Sequence, residues 1–272
     1  MHLDLRDRSV TCARDAEGVA GRDEVLLDGD ENLLQGTAFE ADGYTVVPFL
    51  SEPDWAALKA AAVERVRSLL IEGGAVVPDG FTPDVYHQVV GDNLDLHVTI
   101  ARRMAAGFPV SEMGIDPQRL VERIEEILGK RLTLRYPENG EEIYCMRTVR
   151  PRSHDNNPLH RDSWLPHLRN GVNLYIPIAG SDEHSSLPLV PGSHHWSEAE
   201  TLRTEGGAKI ETVQFTVPSV VAAKRPLHPV RPNPGENEVL VFSPYMLHGG
   251  ASNPSEDTTR LSLEIRLWKA TG

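Results

Sequence analysis

A series of short runs of β-forming residues, separated by turns, fills the second half of this 272-residue chain. Glycine, proline, asparagine and serine occupy the intervals, and this spacing is typical of a β-sandwich or a β-barrel. We therefore predict a mainly β core over about residues 131–268. The predicted strands are residues 143–149, 172–178, 187–190, 209–217, 238–242 and 260–268.

The first half of the chain carries helical signals instead. Residues 43–50 predict one strand, and Ser51 follows as a helix N-cap. Apolar side chains then recur at helical spacing over residues 55–70, which predicts an amphipathic helix. Residues 117–128 predict another helix, which Gly129 ends. We therefore expect helices that cover one side of the β core.

The chain has the length of one large domain, and no linker separates its two halves. We expect a single domain over residues 36–272, in which helices at about residues 51–129 support the β core. Residues 1–35 are rich in charged residues and glycine and lack periodicity. We predict a polar, loosely packed arm there.

The charge balance and the cysteine content of the chain disfavour several classes of protein and partner. The chain has 27 Lys and Arg against 40 Asp and Glu, a formal net charge of −13, which disfavours nucleic-acid binding. No apolar stretch is long enough for a membrane span, and the N-terminus lacks the apolar region of a signal peptide. Cys12 and Cys145 are too few for a disulfide scaffold. We expect a cytoplasmic protein with a small-molecule substrate, and its oligomeric state stays open.

The sharpest local motif is His160-Arg161-Asp162. A histidine and a carboxylate two positions apart in a strand project to the same side. With a distant histidine they can form the 2-His-1-carboxylate set of non-haem Fe(II) oxygenases. The spacing alone decides little, because it also occurs at His2 and Asp4, where we assign no role.

His248 is the candidate for the distant histidine. It follows an apolar strand and a turn, and it precedes Gly249 and Gly250, which permit close approach of the backbone. It lies 248 − 160 = 88 residues after His160, which leaves room for several strands between the two.

Arg260 opens an alternating strand 260 − 248 = 12 residues after His248. Period-2 geometry places Arg260 and Ser262 on one face of this strand, opposite the leucines between them. A buried arginine must be paired, either with a dicarboxylate co-substrate or with a protein carboxylate such as Glu264. The spacing from His248 favours the co-substrate.

These motifs together resemble the phytanoyl-CoA dioxygenase-like family of Fe(II)- and 2-oxoglutarate-dependent oxygenases. The resemblance covers roughly residues 37–268. Its blocks are residues 39–50 (FEADGYTVVPFL), residues 160–162, residues 187–194 (LPLVPGSH) and His248 with Arg260 to Ser262. It implies a double-stranded β-helix, a jelly-roll or cupin-like barrel with flanking helices.

The resemblance also implies roles for individual residues. His160, Asp162 and His248 would bind Fe(II) as the catalytic metal. Arg260 would hold the distal carboxylate of 2-oxoglutarate, with Ser262 as a helper. Arg147, on a preceding strand, is a further candidate for the co-substrate, or else a surface residue of an edge strand.

Other polar residues are candidates for the pocket. Asn173 and Tyr175 share one face of the strand at 172–178, which we expect to point into the barrel towards co-substrate or substrate. His154 and Asn156 precede the metal motif and could line the pocket mouth. Trp164 follows Asp162 by two residues and could form a pocket wall.

The resemblance implies an oxygenase that uses Fe(II), 2-oxoglutarate and O2 to hydroxylate, or otherwise oxidise, an unactivated C–H bond of a small molecule. Natural-product or amino-acid-like biosynthesis is the expected setting. Halogenating relatives carry a small residue at the position of Asp162, so the carboxylate favours oxygenation. Two alternatives are a zinc hydrolase or lyase built on the same three ligands, and a non-catalytic jelly-roll binding protein.

Overall fold

The fold is taken from a computed structural model, which describes residues 10–13, 15–142, 144–154, 157–207, 209–210, 213–214 and 217–270. Within those ranges, no helix combines the length and the apolar character that crossing a membrane requires. The α-helices are α1 (Glu52–Glu72), α2 (Tyr86–Val90), α3 (Leu94–Ala105) and α4 (Gln118–Leu128).

Strands occur mainly after residue 130, as the sequence predicts. They are β1 (Val19–Ala20), β2 (Tyr44–Pro48), β3 (Leu132–Thr133), β4 (Tyr144–Val149), β5 (Ser153–His154), β6 (Gly171–Ala179), β7 (Thr201–Arg203), β8 (Lys209–Ile210), β9 (Val213–Gln214), β10 (Val220–Ala223), β11 (Glu238–Phe242), β12 (Ser252–Asn253) and β13 (Arg260–Lys269).

A large antiparallel sheet forms one layer of the core. Its strand order is β2-β11-β6-β13-β3, and β4 also pairs with β13. The apolar face of β13 packs into one buried cluster with residues of α1, α3 and α4. The helices therefore cover one side of this sheet, in agreement with the prediction.

A second, more irregular layer faces the other side of the large sheet. It includes the β1-β7-β10 sheet and isolated antiparallel bridges that join His160 to His248 and Leu189 to Val230 and His248. A separate buried cluster contains Tyr175, Leu187, Leu189, Leu240, Phe242 and Met246. This two-layered antiparallel arrangement with flanking helices is the predicted double-stranded β-helix.

Two helix boundaries follow from the signals in the sequence. The side chain of Ser51 accepts a hydrogen bond from the backbone N–H of Asp54 at the start of α1. Gly129 ends α4 in the left-handed conformation, at φ 65°, which glycine adopts without steric cost.

The structure corrects one predicted strand and divides another into two short ones. Residues 187–190 form only bridges at Leu189, because the flanking Pro188 and Pro191 have no N–H to extend a ladder. The predicted strand at 209–217 contains β8 and β9, which pair with each other. The remainder of that stretch lies largely outside the described residues.

Residues 10–35 differ from the predicted loosely packed arm. Val10, Leu27, Leu33 and Leu34 are buried, and β1 pairs with β7. These apolar residues are irregularly spaced, so no helix or strand period in the sequence reveals them. The backbone of this segment also bonds to the core, since Thr11 N–H donates to the carbonyl of Gly250.

Candidate metal centre

Three predicted ligands meet in one buried cluster between the two layers. Ligand atoms of His160, Asp162 and His248 all lie within 4.8 Å of one another. Asp162 Oδ1 is 3.2 Å from His160 Nε2 and 3.9 Å from His248 Nε2. All three residues are at least 95% buried, with exposures of 2%, 1% and 5%. Two imidazoles and one carboxylate in this arrangement suit a divalent transition metal.

Backbone pairing sets the positions of the two histidines. His160 and His248 face each other across an antiparallel bridge, and each backbone N–H donates to the other's carbonyl at 2.9 Å. Each Nδ1 also donates to a carbonyl, at 2.7 Å to Pro158 and at 2.9 Å to Met246. A proton on Nδ1 leaves the Nε2 lone pair available for a metal ion. Burial lowers the pKa of His248 to about 4, which favours that neutral form.

The glycines after His248 permit this close packing. A Cβ at Gly249 would lie 2.9 Å from both His160 Nδ1 and the Pro158 carbonyl, and one at Gly250 would lie 2.6 Å from the Thr11 carbonyl. Both glycines also have positive φ, 88° and 72°. The predicted need for glycine at these two positions is confirmed.

The second oxygen of Asp162 is held by the large sheet. Asn173 Nδ2 donates to Asp162 Oδ2 at 2.8 Å, and Arg266 Nη2 donates to the same oxygen at 3.0 Å. Burial alone would raise the pKa of Asp162, but Arg266 and the two histidines hold that pKa well below its usual value. The carboxylate is therefore charged and has Oδ1 directed towards the histidines.

Arg266 is the site residue that the sequence analysis missed. It lies on β13 at a position that shares the strand face of Arg260 and Ser262, six and four residues before it. The period-2 pattern was therefore a signal that could have identified it. Arg266 lies beyond the Arg260–Ser262 motif on the strand, and the sequence does not indicate that this part of the strand contacts Asp162.

Arg260 is fully buried, as predicted, on the inner face of β13. Its Nη1 donates to the Ser185 carbonyl at 2.8 Å, and its guanidinium carbon lies 5.8 Å from the centre of the Tyr175 ring. Glu264 pairs instead with Arg147, at 2.7 Å. The carboxylate that the sequence offered as an alternative partner for Arg260 is therefore committed to another arginine.

Ser262 supports a polar ligand near Arg260. Its Oγ is buried and has no hydrogen-bond partner among the described residues, as is also true of Ser186 Oγ. Ser186 directly follows the residue whose carbonyl binds Arg260. A buried hydroxyl without a partner is costly, and a carboxylate ligand would satisfy it. The residues present thus fit the distal carboxylate of 2-oxoglutarate.

The other co-substrate candidates occupy different places. Arg147 borders a cavity beside the metal cluster, which consists of His160, Asp162 and His248. It forms the ion pair with Glu264, so it is not a surface residue. Asn173 donates directly to the Asp162 carboxylate. Tyr175 is buried near Arg260, with its hydroxyl 3.0 Å from Ser181 Oγ. Both strand residues face the barrel interior, as predicted.

The pocket candidates are corrected in part. His154 is exposed, bonds to Thr11 Oγ1 and is not among the described residues that line the cavity. Asn156 lies outside the described residues. Trp164 packs in a different cluster and donates to Glu198, because Asp162–Trp164 is a 3₁₀ helix. Side chains two positions apart share one side of a strand, but in a 3₁₀ helix they point in different directions. Trp164 therefore points away from Asp162.

A cavity of about 400 Å³, counted with its opening to solvent, adjoins the metal cluster. It combines polar groups with an apolar wall. The lining residues are Arg147, Asn157, His160, Asn173, Leu174, Leu187, Phe242, His248, Gly249, Glu264, Ile265 and Arg266.

Several solved structures are similar to this chain. AviO1 from Streptomyces viridochromogenes Tue57 has 18% sequence identity over 86% of this chain and 93% of that chain, with a TM-score of 0.49. EctD from S. alaskensis in its apoform has 15% identity over 97% and 88%, with a TM-score of 0.46. The non-heme alpha ketoglutarate dependent epimerase SnoN from nogalamycin biosynthesis has 19% identity over 86% and 80%, with a TM-score of 0.43.

Comparison with curated proteins found no significant match. The sequence profile of the family described as phytanoyl-CoA dioxygenase (PhyH) matches residues 39–262. That range covers most of the chain and includes all three residues of the metal cluster. The chain belongs to the phytanoyl-CoA dioxygenase family and is an Fe(II)- and 2-oxoglutarate-dependent dioxygenase.

Proposed function

We propose that this enzyme hydroxylates an unactivated C–H bond of a small molecule in natural-product or amino-acid-like metabolism. In this proposal His160, Asp162 and His248 hold the iron. The observation that carries it is the buried convergence of two Nε2 atoms and one carboxylate oxygen, each oriented by its own hydrogen bonds. When bound, iron and 2-oxoglutarate supply the activation of O2.

The residues of the chain orient the reactants and exclude water. Arg260 and Ser262 lie on the inner face of β13, where they would bind the distal carboxylate of 2-oxoglutarate. Leu187 and Phe242 contribute apolar wall to the cavity beside the histidines. A fixed co-substrate beside an apolar wall favours reaction at one position of the substrate.

The carboxylate of Asp162 favours oxygenation over halogenation, because it occupies the position that halogenating relatives leave to a small residue. Desaturation, epimerisation and ring closure use the same machinery, and product analysis distinguishes them from hydroxylation. Gain of one oxygen atom by the product would support hydroxylation. Loss of two hydrogens, or an isomer of unchanged mass, would contradict it.

We also propose that the enzyme acts in the cytoplasm.

Anaerobic ultraviolet–visible titration tests the proposed site. Apo-protein receives Fe(II) and then 2-oxoglutarate, and we expect a weak metal-to-ligand charge-transfer band that requires both. His248→Ala should abolish the band. His184→Ala is the matched control, because the side chain of His184 is 70% exposed, and it should retain the band. Tight zinc binding without the band would instead support hydrolytic or lyase chemistry, and absence of metal binding would support a binding protein.

A further inference from the structure

A buried ion pair lies behind the metal motif. His160 and Asp162 direct their side chains into the cluster, and the extended backbone of Arg161, at φ −115° and ψ 135°, directs its side chain the opposite way. Arg161 is 1% exposed and Glu198 is 4% exposed, and Arg161 Nη1 lies 2.5 Å from Glu198 Oε1. Neither residue belongs to the metal cluster or the cavity lining.

Glu198 contacts the metal loop, defined as residues 161–165, at two points. Its Oε1 binds Arg161, the residue before Asp162, and its Oε2 accepts a hydrogen bond from Trp164 Nε1 at 2.7 Å. These contacts lie on either side of Asp162 in the sequence. One carboxylate therefore fixes both ends of the short segment that carries the metal-binding carboxylate.

The same network reaches the second metal-binding segment. Arg161 Nη2 donates to the Ser193 carbonyl at 2.9 Å, and Ser193 Oγ accepts from the backbone N–H of Leu247 at 2.8 Å. Leu247 directly precedes His248. A continuous chain of buried hydrogen bonds thus joins Glu198 to the flanks of Asp162 and of His248.

Stability alone does not account for this pair. Buried ion pairs are often replaceable by apolar residues without loss of stability, because desolvation offsets their attraction. Apolar residues could not provide the two directional hydrogen bonds by which Glu198 holds Arg161 and Trp164 in place. Supporting contacts of this kind hold ligand atoms in a geometry that a metal ion can use.

We infer that Glu198 is a positioning residue that sets Asp162 relative to His248 before iron binds. The inference rests on the proposed function of the metal cluster. It extends that function to a residue that touches neither the metal ligands nor the cavity. Its effect is expected in metal affinity and in the order of the loop in metal-free protein.

The decisive variant is Arg161→Met/Trp164→Phe/Glu198→Leu, which removes together the three side-chain polar groups that bond to one another. We expect it to keep an apo-protein melting temperature close to that of the wild type and to bind Fe(II) about 10–100-fold more weakly. Backbone amides of residues 161–165 should exchange hydrogen faster in the metal-free variant. Glu256→Gln, which alters an exposed pair with Arg152, is the control and should change neither property.

Because three substitutions can prevent folding, Glu198→Gln is measured in parallel under conditions where it is folded. Weaker Fe(II) binding together with faster exchange supports the inference. Wild-type affinity and exchange in a folded variant would overturn it, whatever the melting temperature. A wild-type protein that binds no Fe(II) would instead overturn the proposed function, so the two failures are distinguishable.

Discussion

Arg266 holds Asp162 by one carboxylate oxygen only. Nη2 and Nε of Arg266 lie 3.0 Å and 3.2 Å from Oδ2, and Oδ1 is the oxygen that faces the histidines. Asn173 donates to the same Oδ2. The carboxylate therefore offers one oxygen to a metal ion, which leaves more coordination positions for co-substrate and O2 than a two-oxygen ligand would leave.

We predict that Arg266→Gln weakens Fe(II) binding by about 10–100-fold, because groups that orient a metal ligand typically have effects of this size. Arg266→Lys should lose less, since it keeps the charge but not the two-nitrogen contact. Anaerobic calorimetric titration measures both. Arg131→Gln is the control, because the side chain of Arg131 is 82% exposed. Equal affinity in Arg266→Gln and wild type would show that Asp162 is oriented without Arg266.

Arg260→Gln should selectively impair 2-oxoglutarate binding. Loss of a charge-assisted contact costs about 1.5–3 kcal/mol, which corresponds to roughly 10–100-fold in the 2-oxoglutarate dissociation constant. Ser262→Ala should have a smaller effect in the same direction. The charge-transfer band, titrated with 2-oxoglutarate at saturating Fe(II), reports the constant. Fe(II) affinity without co-substrate should stay at the wild-type value, and a parallel loss of iron would contradict the assigned role.

Gly249→Ala is expected to disturb the metal cluster sterically. The new Cβ would lie 2.9 Å from His160 Nδ1 and from the Pro158 carbonyl that this nitrogen contacts, at a backbone φ of 88°. We expect a destabilisation of about 2–4 kcal/mol and weaker Fe(II) binding by the folded fraction. Thermal melting and metal titration measure the two effects. Gly206→Ala, where no atom lies within 4 Å of the added Cβ, should match the wild type in both.

His194 should contribute to acid sensitivity of the apo-protein. Burial lowers its pKa to about 4, although the hydrogen bond from Nε2 to the Glu40 carbonyl acts in the opposite direction. Nδ1 is buried without a partner among the described residues. An unfolded histidine binds its proton near pH 6.5, so the unfolded state gains protons first and stability falls as the pH drops from about 6.5 towards 4. This histidine should contribute on the order of 1–3 kcal/mol. The melting temperature of His194→Gln should therefore fall less than that of the wild type as the pH drops from about 6.5 to 4. An equal pH dependence in the two proteins would argue against this role of His194.

The sequence predicted the parts of the site that depend on local spacing. The alternation from Arg260 to Ser262 follows from strand geometry. The two glycines after His248 were expected for close approach, and the structure shows which atoms approach. In each case a short motif determines where its own side chains point.

Contacts between distant segments could not be predicted in the same way. Arg266 meets Asp162, and Glu198 meets Arg161, only because the barrel brings together residues far apart in the chain. Trp164 does not line the cavity, because Asp162–Trp164 is a 3₁₀ helix and its indole bonds to the distant Glu198. The partner of Arg147 depends on strand pairing, which neither the composition nor the order of the motifs specifies.

The alternation along β13 links assembly of the chain to its competence for iron. The outer face of the strand carries leucines and isoleucine against the helices, and the inner face carries Arg260, Ser262, Glu264 and Arg266. A pairing error of one residue would exchange the two faces, pressing guanidinium groups into the apolar layer and leucines against the histidines. A chain mispaired in this way would therefore lack the polar inner face that Arg266 shares with Arg260 and Ser262, and with it the support of Asp162.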